Sequence, residues 1–142
     1  MDMEEAVSII ATANIGLEFN EFRPYAYYDQ YMDCIRVSVE DVTTVEERCD
    51  EFITLHRAAK LEGSVANDRY IGFTLKGIRH LFADINLSLE GAHKLSLILD
   101  KLVLAKPHTV LSRIVRLVKD IESFRDATNE LEVDFNEVDL AA

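Results

Sequence analysis

Cys34-Ile35-Arg36-Val37-Ser38-Val39-Glu40 sets Ile35, Val37 and Val39 against Cys34, Arg36, Ser38 and Glu40. That period of two marks a half-buried β-strand within residues 32–41. Tyr70-Ile71-Gly72-Phe73-Thr74-Leu75-Lys76 repeats the pattern, with Ile71, Phe73 and Leu75 opposing Gly72, Thr74 and Lys76. Two such strands alone are marginal in water, so the pair requires a third strand or a covering helix.

The intervening residues 44–62 fit two templates. Thr44 and Glu47 make a capping box, and Val45, Cys49, Phe52, Ile53 and His56 follow helical spacing ahead of Gly63. Against this, Phe52-Ile53-Thr54-Leu55 consists of residues that lose side-chain freedom in helices and pack well in sheets. A polar loop at 62–68 then leads directly into the Tyr70 strand, as in a hairpin. The strand reading is adopted, and it predicts a three- or four-stranded antiparallel meander.

Helical periodicity flanks this β region. Met3, Ala6, Val7, Ile10 and Ala11 share one face, opened by Asp2, Glu4 and Glu5 and stopped by Gly16. Ile78, Leu81, Phe82 and Ile85 form a second helical face, which breaks at Asn86-Leu87-Ser88. A helix over 89–105 builds its face from Ala92, Leu95, Leu99, Leu102 and Val103 and ends at Lys106-Pro107. A further helix over 109–124 carries a wide stripe of Val110, Leu111, Ile114, Val115, Leu117, Val118 and Ile121. The predicted fold is therefore α+β: a small antiparallel β-sheet with an N-terminal helix and a C-terminal helical hairpin packed on one face. Residues 1–128 form a single domain in this reading. Residues 129–142 are an acidic C-terminal tail, expected to be disordered beyond Asn129, although Leu131, Val133 and Phe135 alternate as an edge strand would.

At 142 residues, 49% hydrophobic and 29% charged, the chain is long enough for one core. A formal net charge of -11 opposes direct binding to a phosphate backbone. No segment approaches the roughly 20 apolar residues that span a bilayer, and Met1-Asp2-Met3-Glu4-Glu5 is acidic where a secretory signal is basic. A cytoplasmic location without membrane contact is expected. Cys34 and Cys49 lack the spacing of a disulfide scaffold or a zinc site and read as free thiols.

Four of the five tyrosines fall in Pro24-Tyr25-Ala26-Tyr27-Tyr28-Asp29-Gln30-Tyr31. A tyrosine offers a broad apolar face and one hydroxyl, which suits recognition. Tyr25, Tyr27, Tyr28 and Tyr31, joined by Arg36 and His80, form the candidate binding set. Tyr28 and Tyr31 are expected to open the following strand on opposite faces, leaving Tyr25 and Tyr27 on a connecting segment.

Other chemistry is thin. His56, His80, His93 and His108 match no ligand spacing, no serine sits in a nucleophile elbow, and the five glycines form no phosphate loop. Neither a metal nor another cofactor is expected, no catalytic set is assigned, and the balance is against an enzyme. Neighbouring acids such as Glu46-Glu47 and Asp50-Glu51 read as a solvated face. Arg113, Arg116 and Lys119 read as a basic stripe that pairs with nearby acids. Lys76-Gly77-Ile78-Arg79-His80 is a strand-to-helix junction that would suit an anion at the helix start. The 49% hydrophobic content and the wide apolar arc of the helix over 109–124 favour a non-enzymatic protein-interaction or regulatory domain that self-associates as a homodimer. The alternatives are an acidic antagonist of a basic protein, immunity- or antitoxin-like, and a small-ligand-binding protein or enzyme with a pocket near the tyrosines.

Overall fold

The computed structural model describes residues 22–59 and 69–136; the helix expected over 3–15 lies outside the described residues. The chain forms five strands in the β region, β1 (Tyr25–Asp29), β2 (Cys34–Ser38), β3 (Thr44–Arg48), β4 (Ile53–Ala58) and β5 (Tyr70–Lys76), of which β2 and β5 carry the clear alternation. They pair antiparallel in the order β1-β2-β5-β4-β3.

Two details differ from the sequence expectation. The sheet has five strands instead of three or four, and β5 lies between β2 and β4 instead of at the end of a meander. Burial explains the order. β2, β4 and β5 supply the buried inner pairs Ile35 and Val37, Ile53 and Leu55, and Phe73 and Leu75, all six side chains removed from water. Each such side chain stabilises the fold by about 1.5–3 kcal/mol when removed from water, so these three strands take the centre and the more polar β1 and β3 take the edges. The 44–62 segment is indeed β, but it divides in two. At the turn between β3 and β4 the Asp50 carboxylate accepts from the backbone N–H groups of Phe52 and Ile53, both at 2.8 Å.

Helices α1 (Ile78–Asp84), α2 (Leu95–Ala105), α3 (Val110–Asp120) and α4 (Glu122–Glu130) follow. Their buried residues Leu81, Phe82, Leu99, Val115 and Phe124 join the inner strand residues in one core, and Phe73 meets Phe124 edge-on at 5.7 Å. The expected hairpin of α2 and α3 is present, tied by Lys119 to Asp100 and by the Ser112 hydroxyl donating to the carbonyl of Leu102 at 3.4 Å. Thr109 caps α3, its hydroxyl oxygen accepting from Ser112 N–H at 3.2 Å. The periodic stretch 109–124 breaks at Ile121, whose extended backbone ends α3 and begins α4.

Residues 130–136 correct the expectation of disorder beyond Asn129, and the remainder of that tail lies outside the described residues. Glu132–Asp134 forms β7, paired with β6 (Ala92–Lys94), which displaces the start of the expected 89–105 helix to Leu95. Val133 is fully buried, and the Phe135 ring lies 4.9 Å from Tyr28 and 5.0 Å from Phe82. Apolar burial outweighs the acidity of the neighbouring residues. No helix among the described residues is long and apolar enough to cross a membrane.

Candidate binding face

Because every second residue of a strand faces away from the helices, the sheet register sets the composition of its outer face. One row across all five strands reads Tyr27, Arg36, Thr74, Thr54 and Arg48. The next reads Tyr25, Ser38, Gly72, His56 and Glu46. A third, shorter row holds Asp29, Cys34 and Lys76. Tyr25 and Tyr27, on its edge strand, remain 42% and 43% exposed, whereas Cys34, Thr54 and Thr74 nearer its centre are buried. The two tyrosine rings are 5.6 Å apart.

Two clefts indent the face. One, of about 230 Å³, is lined by Met32, Cys34, Arg36, Glu46, Thr54, Thr74 and Lys76. The other, of about 190 Å³, includes Tyr25, Arg36, Ser38, Thr44 and His56, so Arg36 stands between them. Thr54 is only 2% exposed, yet its hydroxyl has no hydrogen-bond partner. Thr74 is equally buried, but its hydroxyl lies 2.8 Å from His56 Nε2. Burial holds the His56 imidazole below its usual pKa, opposed by Glu46 and reinforced by Arg36 and Lys76. Burial likewise raises the Cys34 pKa against the opposing pull of Arg36, so at neutral pH it is a thiol and a poor nucleophile.

Of the six residues singled out from sequence, the structure brings Tyr25, Tyr27 and Arg36 together. Tyr25 and Tyr27 belong to β1, where a connecting segment was expected. Tyr28 is also in β1, but faces inward. Its hydroxyl donates to Asp33 at 2.6 Å, and burial together with that carboxylate pushes its pKa up to about 12. Tyr31 is exposed in the turn after β1 and so does not open β2. His80 is exposed on α1, stacked 6.0 Å from Phe52 and paired with Asp84 at 3.5 Å. The start of α1 is met by an acid of the chain itself: the Asp33 carboxylate accepts from Arg79 N–H at 3.1 Å, and its backbone carbonyl accepts from Ile78 N–H at 3.1 Å. Gly77 makes this connection with φ of 66°. Sequence reasoning missed Thr54, Thr74, His56 and Lys76 as neighbours of Arg36. Their alternation was legible; the cross-strand register that aligns them was not.

Elsewhere, Cys34 and Cys49 are free. A third cleft, of about 320 Å³, is lined by Pro24, Val39, Glu40, Ser123, Asp126 and Glu130 among others, so three carboxylates surround it. Glu40 also pairs with Arg69 at 2.9 Å. No family model matches the chain, and comparison with curated proteins and with solved structures finds no significant similarity.

Proposed function

We propose that the protein is a non-enzymatic interaction domain of the cytoplasm that self-associates as a homodimer through the outer face of its five-stranded sheet. The observation that carries this reading is the grouping of Tyr25, Tyr27 and Arg36 on the outer side of β1 and β2, with both tyrosines more than 40% exposed. Tyrosine and arginine are the residue types that most often supply interface energy. The face carries both signs of charge, with Arg36, Arg48 and Lys76 set beside Asp29 and Glu46, and a twofold contact can match such a surface to its own copy. A protonated Cys34 and a His56 engaged by Thr74 support a binding role over a catalytic one.

Sedimentation equilibrium from low to high micromolar concentration tests the reading. The wild-type chain dimerises over this range, whereas Tyr27→Ala and Arg36→Glu each shift it toward monomer with little change in melting temperature. A wild-type chain that stays monomeric at high micromolar concentration overturns self-association. A second reading, an acidic antagonist of a basic protein, draws on Glu40, Asp126 and Glu130 around one cleft. It requires salt-sensitive capture of a cationic protein that is lost in the Asp126→Lys, Glu130→Lys double variant.

A further inference from the structure

We propose that the cleft between Arg36 and Lys76 is a binding site for a small monocarboxylate. Its floor holds Thr54, whose buried hydroxyl lacks a partner in a sheet where a buried polar group normally has one. Leaving such a group unsatisfied is costly, and a ligand oxygen in the cleft would accept from it. Two cations line the same space. Arg36 approaches Asp29 only at 3.8 Å, longer than a charge-assisted hydrogen bond, and no described residue bonds its terminal nitrogens. Lys76 has no ion pair among the described residues. A guanidinium fork beside an ammonium and a hydroxyl suits a planar carboxylate.

The lining also limits the ligand. Arg36 and Lys76 face Glu46 in the lining, with Asp29 a further 3.8 Å from Arg36, so a single negative charge is accommodated better than the second charge of a phosphate, which both acids would repel. Met32 and Cys34 supply an apolar wall for a short aliphatic body. The volume of about 230 Å³ corresponds to roughly eight waters at about 30 Å³ each, so the ligand has few heavy atoms. The site lies within one chain but shares Arg36 with the proposed dimer face, so it is read in the separated chain.

Amide NMR titration of the full chain, kept at low micromolar concentration where copies are separate, tests this with sodium propionate, sodium phosphate and sodium chloride at matched ionic strength. Propionate is expected to give saturable shifts centred on Cys34, Arg36, Thr54, Thr74 and Lys76, with phosphate weaker and chloride without effect. Arg36→Gln lowers propionate affinity by about tenfold or more, as loss of a charge-assisted pair implies. Thr54→Val lowers it too while holding or raising the melting temperature of the free protein, because it removes an unpartnered hydroxyl at constant shape. Chloride shifting the same amides, phosphate binding as tightly as propionate, or affinity unchanged in either variant overturns the assignment. So does a Thr54→Val protein that melts below wild type, which would show the hydroxyl already bonded to water.

Discussion

At His56 the fold holds an imidazole half out of water, its Nε2 2.8 Å from the Thr74 hydroxyl, with a pKa lowered from 6.5 mainly by burial. The sign of the pH effect follows. The unfolded chain takes up a proton as pH falls through 6.5, the folded chain only at lower pH, so stability is fully present above 6.5 and declines below it. The urea midpoint should be flat from about pH 8 to 7 and then fall by about pH 5.5, and His56→Gln should flatten that slope. Glu46, Arg36 and Lys76 are the charged groups that act on this ring, and Glu46→Gln should steepen the loss by removing the one favourable partner of the imidazolium. Gly72, beside His56 in the register, presents a different constraint. A Cβ there would lie 2.5 Å from the Val37 carbonyl oxygen, which is backbone and has little freedom to yield. Gly72→Ala should therefore cost about 1–3 kcal/mol in urea unfolding at unchanged denaturant slope. The sequence places Gly72 on the polar side of the β5 alternation. The carbonyl it accommodates is visible only once β2 and β5 are paired.

Among the elements, those with strong contrast between their two sides were legible, namely β2, β5 and the helices around Leu81, Leu99 and Val115. β1 was not, because Tyr25 and Tyr27 on one side and Tyr28 on the other are the same residue, and a period of two carries no signal when both phases are aromatic. β7 failed for the opposite reason. Its alternation was visible, but Glu130, Glu132 and Asp134 resemble a solvated tail until β6 supplies a partner and the core supplies a site for Val133. The terminal ribbon also closes over β1, since Phe135 packs on Tyr28. Val133→Ala should thus cost about 2 kcal/mol, between the usual losses for Ile→Val and Leu→Ala at buried sites. Phe135→Ala should loosen Tyr28 as well, lowering its hydroxyl pKa from about 12 in a spectrophotometric titration. An unchanged Tyr28 titration would mean that Asp33 alone sets it.

For the whole molecule, α+β architecture follows from local periodicity, but the position of β5 and the composition of the outer face depend on pairings such as Val37 with Phe73, distant in sequence. That is why Tyr27 and Arg36 could be singled out while Thr54, Thr74 and Lys76 could not be gathered around them. The same scale separates two origins for the proposed self-association. Each chain carries a net charge of -11, so two copies repel at long range, and screening weakens that repulsion as the Debye length falls from about 30 Å at 0.01 M to about 8 Å at 0.15 M salt. Exposed pairs between Arg36 or Lys76 and a partner's acids would weaken over the same range, but such pairs usually contribute only about 0–1 kcal/mol. If burial of Tyr25 and Tyr27 drives association, added salt should strengthen the dimer several-fold, because apolar contact is insensitive to screening while the repulsion it opposes is not. Sedimentation equilibrium at low and at physiological salt reads the difference directly. A dimer that weakens with salt would shift the energetic weight from the tyrosines to Arg36 and Lys76, and Tyr27→Ala would then leave association almost unchanged.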